Sequence, residues 1–328
     1  MGHRLSFTLA AAVAFATASL IQPAAAESLR SIRAFPQNLK QISVLYAGFQ
    51  KAVTDATKGA ITFQDNGPET VPPFEQFEPL TQGVFDVMYT APSYHQAQTG
   101  VGVGISAIPQ TSDPDLLTSS GVRTWLTDYY RKNFGVIPIA VFTIGETIFV
   151  FREPLTGDTR LEGRKVRSNA SYEGIVRALG GAPVSMGPAD AYAALEKGTL
   201  DGVVWPEIAT AEFKLYEVTK FLAKPTFGKS HNAIFMNAAK FDALPKDQQD
   251  AIVQAGLKLE HDAKEFFAKQ AQDETRIMTE NGVGFTEFGA EVAPQLEKLY
   301  VAGQREIAMR SRPDDVKALF DLADKTAN

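Results

Sequence analysis

The chain has 328 residues, 45% of them hydrophobic and 21% charged, with a formal net charge of −6. That composition suits one large globular domain or two of ordinary size, each with its own core. No basic stripe appears, which argues against nucleic acid as a partner, and the absence of cysteine excludes disulfides and a lipidated cysteine anchor.

Met1–Arg4 is short and basic, Leu5–Ile21 is apolar and alanine-rich, and Ala24–Ala26 offers small residues for cleavage. This predicts a secretory signal peptide over residues 1–26, cut after Ala26, and a cysteine-free exported protein fits a periplasm. Next come a strand at Leu29–Ala34, a helix over Leu39–Thr57 with Ile42, Leu45, Phe49 and Val53 on one face, and a strand at Ile61–Gln64. Asn66–Pro68 is a turn, Pro73–Gln82 a helix, and Phe85–Tyr89 a strand. Thr90–Gly104 reads as loop, and its GVGVG run, lacking a following lysine, is expected to be a flexible connector rather than a phosphate loop.

Asp113–Phe134 predicts one or two helices. Val136–Phe142 and Thr147–Phe151 are β-branched runs that predict two buried strands separated by Gly145-Glu146, the second crossing between lobes. Gly163–Pro206 then spells a βαβαβ unit, with strands at Arg164–Asn169, Ala182–Met186 and Leu200–Trp205. The helix from Tyr172 stops at Gly180-Gly181, and Pro188 opens the second helix, which Gly198 ends. Ile208–Leu222 is expected to be a helix, His231–Met236 a second crossing strand, and Pro245 to about Glu280 one long helix able to span both lobes. Val292–Met309 and Asp314–Asp324 complete the helices.

Residues 73–86 align without gaps on 188–201. Proline, aromatic, leucine, glycine and aspartate recur at one spacing. The echo predicts two lobes of similar build with a cleft between them, a favoured ligand site. Ligands of parallel sheets bind beyond the carboxyl ends of the strands. Arg167 falls at such an end, just before a helix N-terminus, and a guanidinium fork there suits a carboxylate. Trp205, ending the third strand, is expected to face the same crevice, and Asn169 belongs to the same strand end.

Only His95, His231 and His261 follow the signal peptide. No HExxH, nucleophile elbow, Walker motif or metal-ligand spacing occurs, so neither an enzyme nor a metal or other cofactor is expected.

The signal peptide, the two βα lobes, Leu161–Arg167 (LEGRKVR), Leu179–Val184 (LGGAPV), Lys197–Gly202 (KGTLDG) and Gln82–Asp86 together resemble the substrate-binding subunit of TRAP (tripartite ATP-independent periplasmic) transporters. Met236-Asn237, Phe241, Leu244-Pro245 and the long helix match further downstream. The resemblance implies a two-lobed periplasmic binding protein fold of the α/β class, each lobe a βα sheet sandwich, with hinge strands and a bracing helix. It also implies that Arg167 holds a ligand carboxylate, and that small and large TRAP membrane subunits receive the ligand. The lobe limits expected are 27–146 with about 231–260, and 147–230 with about 261–328.

Two departures bear on the ligand. Trp205-Pro206 stands where many members keep an asparagine, and Thr147 stands beside Glu146 where some carry a second arginine. They point from a dicarboxylate towards a monocarboxylate. Glu146 and Glu207 are candidates to receive an ammonium, which keeps an amine or amino-acid-like ligand open. Tyr89, Tyr94 and Glu75 are the candidate first-lobe contacts. The other readings are a periplasmic ligand sensor and an exported enzyme.

Overall fold

The computed structural model describes residues 26–156 and 160–326. Apart from Ala26, the expected signal peptide lies outside them. No helix among the described residues is long and apolar enough to cross a membrane.

The organising element is a twisted mixed sheet of ten strands. They are β1 (Glu27–Arg33), β2 (Ile61–Asn66), β3 (Val87–Thr90), β4 (Val136–Phe151), β5 (Lys165–Ser168), β6 (Ala182–Ser185), β7 (Gly202–Pro206), β8 (Phe221–Lys224), β9 (Phe227–Asn237) and β10 (Gly284–Glu287). Their order is β2-β1-β3-β9-β4-β7-β5-β6, with β8 pairing β4 and β10 at one side. Strands β2, β1 and β3 run parallel in the first lobe, and β6, β5 and β7 run parallel in the second. Between them, β4 and β9 pair with each other antiparallel. β9 also pairs with β3, while β4 reaches β7, so both strands pass from one lobe into the other.

The two strands expected at Val136–Phe142 and Thr147–Phe151 are therefore one strand of 16 residues. Gly145, at φ +103, and register shifts between Thr143 and Thr147 absorb the break that the sequence suggested. A bulge of this kind bends a strand without ending it.

Each lobe has apolar layers on both sheet faces. In the first lobe, Leu29, Tyr46, Phe49 and Ile234 lie on one side, and Met88, Val103, Leu126 and Phe235 on the other. In the second, Phe149, Val166, Tyr172 and Tyr300 oppose Ile148, Leu195, Val203 and Trp205. The 35-residue helix Lys246–Glu280 is about 52 Å long at 1.5 Å per residue. It runs along both lobes: Ile252, Leu259 and Phe267 join the first core and Met278 joins the second. Gly256 lets it lie directly on β4, since a Cβ there would sit 2.4 Å from the Ile139 carbonyl oxygen. Glu260, fully buried, accepts from the Val141 amide at 2.7 Å and pairs with Arg123.

The internal echo is structural. Gly83 and Gly198 end their helices at φ +71 and +68, angles that favour glycine.

Three further expectations are corrected. The GVGVG run is packed, not flexible: Val101 and Val103 are fully buried, and a Cβ at Gly102 would meet the Pro92 carbonyl oxygen at 2.2 Å. Ile208–Leu222 is not a helix but a chain of turns leading into β8, with Ala209 and Lys214 at positive φ. The carboxylate of Glu274, on the long helix, accepts from the amides of Ala211 and Glu212 there. These donors are thus held by a tertiary partner. Finally, the helix Pro313–Thr326 packs Val316, Leu319 and Phe320 into the first lobe's core, although the expected limits gave it to the second.

Candidate functional site

Arg167 pairs through its backbone with Val184 of β6 and Val203 of β7, so its position near the end of β5 is fixed from both sides. Its side chain is 2% exposed. Nε and Nη2 donate to the Met186 carbonyl at 3.1 and 3.0 Å, and the guanidinium lies over the Trp205 ring, 4.5 Å from its centroid. Trp205 is held in turn by an edge contact with Phe213. No carboxylate is paired with Arg167 among the described residues. Burial lowers its pKa from the ordinary arginine value, opposed by the neighbouring Tyr94 and Tyr172 hydroxyls, and an arginine nonetheless stays charged.

Asn169 caps the helix Ala170–Ala178, its Oδ1 accepting from the Ser171 amide at 2.9 Å. The positive end of that helix thus faces the same space as the guanidinium. The helix is seated by a glycine pair: a Cβ on Gly174 would fall 2.4 Å from the Gly303 Cα in the helix Leu296–Ala308.

These groups border a cavity of about 40 Å³, roughly the room of three waters. The second lobe supplies Arg167, Asn169, Tyr172, Pro188 and Trp205, with Ile208 and Phe213 from the turn after β7. The first lobe supplies Phe35, Gln41, Ser93 and Tyr94, and the crossing strands supply Ile144, Ser230, His231 and Asn232. Neither aspartate nor glutamate lines it among the described residues.

The polar wall is neutral and internally bonded. Ser230 Oγ lies 2.7 Å from the Tyr172 hydroxyl and 3.2 Å from Thr147 Oγ1. Burial pushes the Tyr172 phenol up to about 12. His231 contacts Ser106 through Nδ1 and Thr143 through Nε2, and burial pushes its pKa down to about 4, so it is uncharged near neutrality. In the first lobe the corresponding strand-end cation, Arg33, is already engaged by Asp65 and the Phe35 carbonyl.

Of the residues singled out in the sequence, Arg167, Trp205, Asn169 and Tyr94 come together here. The other four do not. Tyr89 is buried behind the wall, bonded to Gln41 and Asn232. Glu75 is exposed on a short 3₁₀ turn and does not line the cavity. Glu146 and Glu207 border a separate open cleft with Lys224, Lys229 and Lys264. Glu146 accepts from Thr226 there, and Glu207 pairs with Lys224 at 3.6 Å. Gln41, Ser230 and Asn232 were missed, and nothing local marks them. His95, the other histidine near this loop, faces Thr90 and stacks on Phe77, away from the cavity.

Two lobes joined by crossing strands, with a buried arginine at the cavity between them, have the build of a solute-binding protein. Residues 33–305 match the family described as bacterial extracellular solute-binding protein, family 7, and the chain belongs to that family.

Among curated relatives, it is 30% identical over 149 residues to the 2,3-diketo-L-gulonate-binding periplasmic protein YiaO of Escherichia coli, covering 45% of this chain and 43% of the relative. It is 27% identical over 190 residues to the C4-dicarboxylate-binding periplasmic protein DctP of Rhodobacter capsulatus, covering 56% of each. The chain thus spans about half the length of the curated relatives it matches first. In fold it is similar to DctP7, a Bordetella pertussis extracytoplasmic solute receptor binding pyroglutamic acid, with a TM-score of 0.79 at 16% identity over 91% of this chain and 99% of the other. A TRAP periplasmic solute-binding protein from Desulfovibrio salexigens with bound orotic acid gives 0.79 at 17% identity, over 91% and 98%.

Proposed function

We propose that this protein is a periplasmic solute-binding protein that captures a small monocarboxylate between its lobes and delivers it to TRAP membrane subunits. One observation carries the reading: Arg167 is buried against the cavity with no carboxylate of its own. A buried charge is costly unless paired, and a ligand carboxylate supplies the missing partner bidentately. The relatives named above are described with organic acids, which supports an acid ligand. Arg167 is the one arginine or lysine lining the cavity among the described residues, and with Arg33 engaged elsewhere this favours one carboxylate over two. An amine is disfavoured because Glu146 and Glu207 lie in another cleft and the cavity is lined by no acid among the described residues. Binding rather than catalysis fits a wall whose histidine is neutral and occupied by hydroxyl groups.

Calorimetric titration with small carboxylates tests this. Wild type should bind one or more, and a ligand at about 100 times its dissociation constant should add roughly 2.7 kcal/mol of stability. Arg167→Ala should lose about 2–5 kcal/mol of binding while keeping its circular dichroism spectrum. Unchanged affinity in Arg167→Ala would overturn the assignment.

A further inference from the structure

We propose that Asn169 recognises the ligand as well as capping its helix: its side-chain nitrogen donates to the carboxylate that Arg167 holds. This rests on the monocarboxylate reading above and adds a second, neutral contact to the same group.

Asn169 is 7% exposed and borders the cavity. Its backbone carbonyl accepts from the Tyr172 and Glu173 amides at 3.0 and 3.1 Å, and its Oδ1 accepts from the Ser171 amide at 2.9 Å. These bonds fix which way round the side-chain amide stands. Turned over, its NH2 group would meet the Ser171 N–H, donor to donor, and a helix-start amide would lose its acceptor. Oδ1 is thus spent on the helix, and Nδ2 is left for what lies beside it. Nδ2 has no hydrogen-bond partner among the described residues, and it is not one of the unpaired atoms that the packing shuts away. The other side-chain amides of the wall, Gln41 and Asn232, bond to each other instead.

The guanidinium two residues earlier is part-spent. It has five N–H donors. One on Nε and one on Nη2 go to the Met186 carbonyl, and the Trp205 ring lies against one face. The Nη1–Nη2 edge remains, and it can meet two of the four lone-pair sites of a carboxylate. Asn169, just across the turn from β5 into the helix, offers a donor for a third. An amide nitrogen only donates, so it rewards an oxygen that only accepts and needs no change of its own protonation to do so.

The test is calorimetry with acetate, propionate, lactate and pyruvate on wild type, Asn169→Ser and Asn169→Asp. Asparagine, serine and aspartate cap helices about equally well, so unliganded melting temperatures should agree within about 2 °C. Whichever acid binds wild type should bind Asn169→Ser about ten- to a hundredfold more weakly, as for the loss of one hydrogen bond to a charged group. Asn169→Asp, which puts an anionic oxygen where the donor stood, should bind it more weakly still. In proton–nitrogen correlation spectra, the Asn169 side-chain NH2 pair, identified by its loss in Asn169→Ser, should move downfield when the acid is added. A residue that only capped the helix would not give that shift. Unchanged affinity in Asn169→Ser would overturn the inference and leave the Arg167 reading standing, the nitrogen then serving solvent alone. A loss of affinity with no movement of the NH2 pair in wild type would also overturn it, assigning the loss to the cap. If none of the acids binds wild type, the carboxylate reading fails and this inference falls with it.

Discussion

Asp86 and Asp201 hold the same post in the two lobes. The Asp86 carboxylate accepts from the Arg30 amide at 2.8 Å, and its own amide donates to the Arg30 carbonyl at 2.7 Å. The Asp201 carboxylate accepts from the Lys165 amide at 2.7 Å, and its amide donates to the Lys165 carbonyl at 2.8 Å. Each aspartate, set just before β3 or β7, thus ties the start of that strand to its neighbour β1 or β5. Replacing either with alanine leaves a strand amide without its acceptor, a loss of about 1–3 kcal/mol. Asp86→Ala should be the worse, because Asp86 is buried and also holds the Arg30 guanidinium. Urea denaturation measures both. A midpoint shift larger for Asp201→Ala would contradict that ranking.

Gly174→Ala should destabilise the protein by about 1–3 kcal/mol, the usual range for overpacking. Here the added methyl meets backbone of the Leu296–Ala308 helix, which cannot swing aside as a side chain would. The Ala170–Ala178 helix, pushed away by the methyl, carries Asn169 at its start, so acid binding should weaken as well. Thermal melting with and without ligand measures both effects. A melting temperature equal to wild type would show that the two helices separate freely.

The turn after β7 reaches across to the first lobe. Glu212 accepts from the Lys40 amide at 3.0 Å through one oxygen and from Gln270 Nε2 at 3.0 Å through the other. If the lobes close on ligand, as the crossing strands allow, this contact favours the closed form. Glu212→Ala should raise the dissociation constant about fivefold, mostly through faster release. It should also enlarge the radius of gyration at sub-saturating ligand. Unchanged release kinetics would remove the contact from the closing mechanism.

Stability should fall with acid in a defined window. Burial holds His95 at about 3 and His231 at about 4, both below the ordinary value near 6.5. The unfolded chain therefore binds more protons than the folded one between these values. Stability is complete above about pH 6.5 and is lost as pH falls towards 4, by up to about 1.4 kcal/mol per pH unit for each histidine. Urea midpoints at pH 7.5, 6.5, 6 and 5.5 check this, above the range where most carboxylates titrate. A flat profile there would show that the histidines are more hydrated than their packing implies.

The Gly163–Pro206 unit was legible because its signals are local. Glycine stops, a proline start and short apolar runs set β5, β6, β7 and the helices between them. Arg167 was legible for the same reason, since a strand end beside a helix start is one stretch of chain. Ser230 and Asn232 were not, because they reach the cavity only through the pairing of β9 with β3 and β4, and Gln41 comes in from the helical segment after β1. Tyr89 was misplaced because a strand buried on both faces gives no alternation to choose between them: β3 is buried throughout. Glu207 was misplaced because β7 ends at Pro206, so the facing of Trp205 does not carry over to it.

The way the chain passes between the lobes dictates the order in which it can fold. β3 finds its neighbour β9 only after about 140 further residues have appeared, and the first lobe's outer layer waits for Val316, Leu319 and Phe320. A nascent chain cut off before residue 313 therefore lacks the first lobe's outer layer, although the second lobe's core is complete by Val301. Its earliest strands stay exposed until almost the last residues arrive. Such long-range pairing makes folding slow. It also means that no single cut in the gene will release either lobe as a working module.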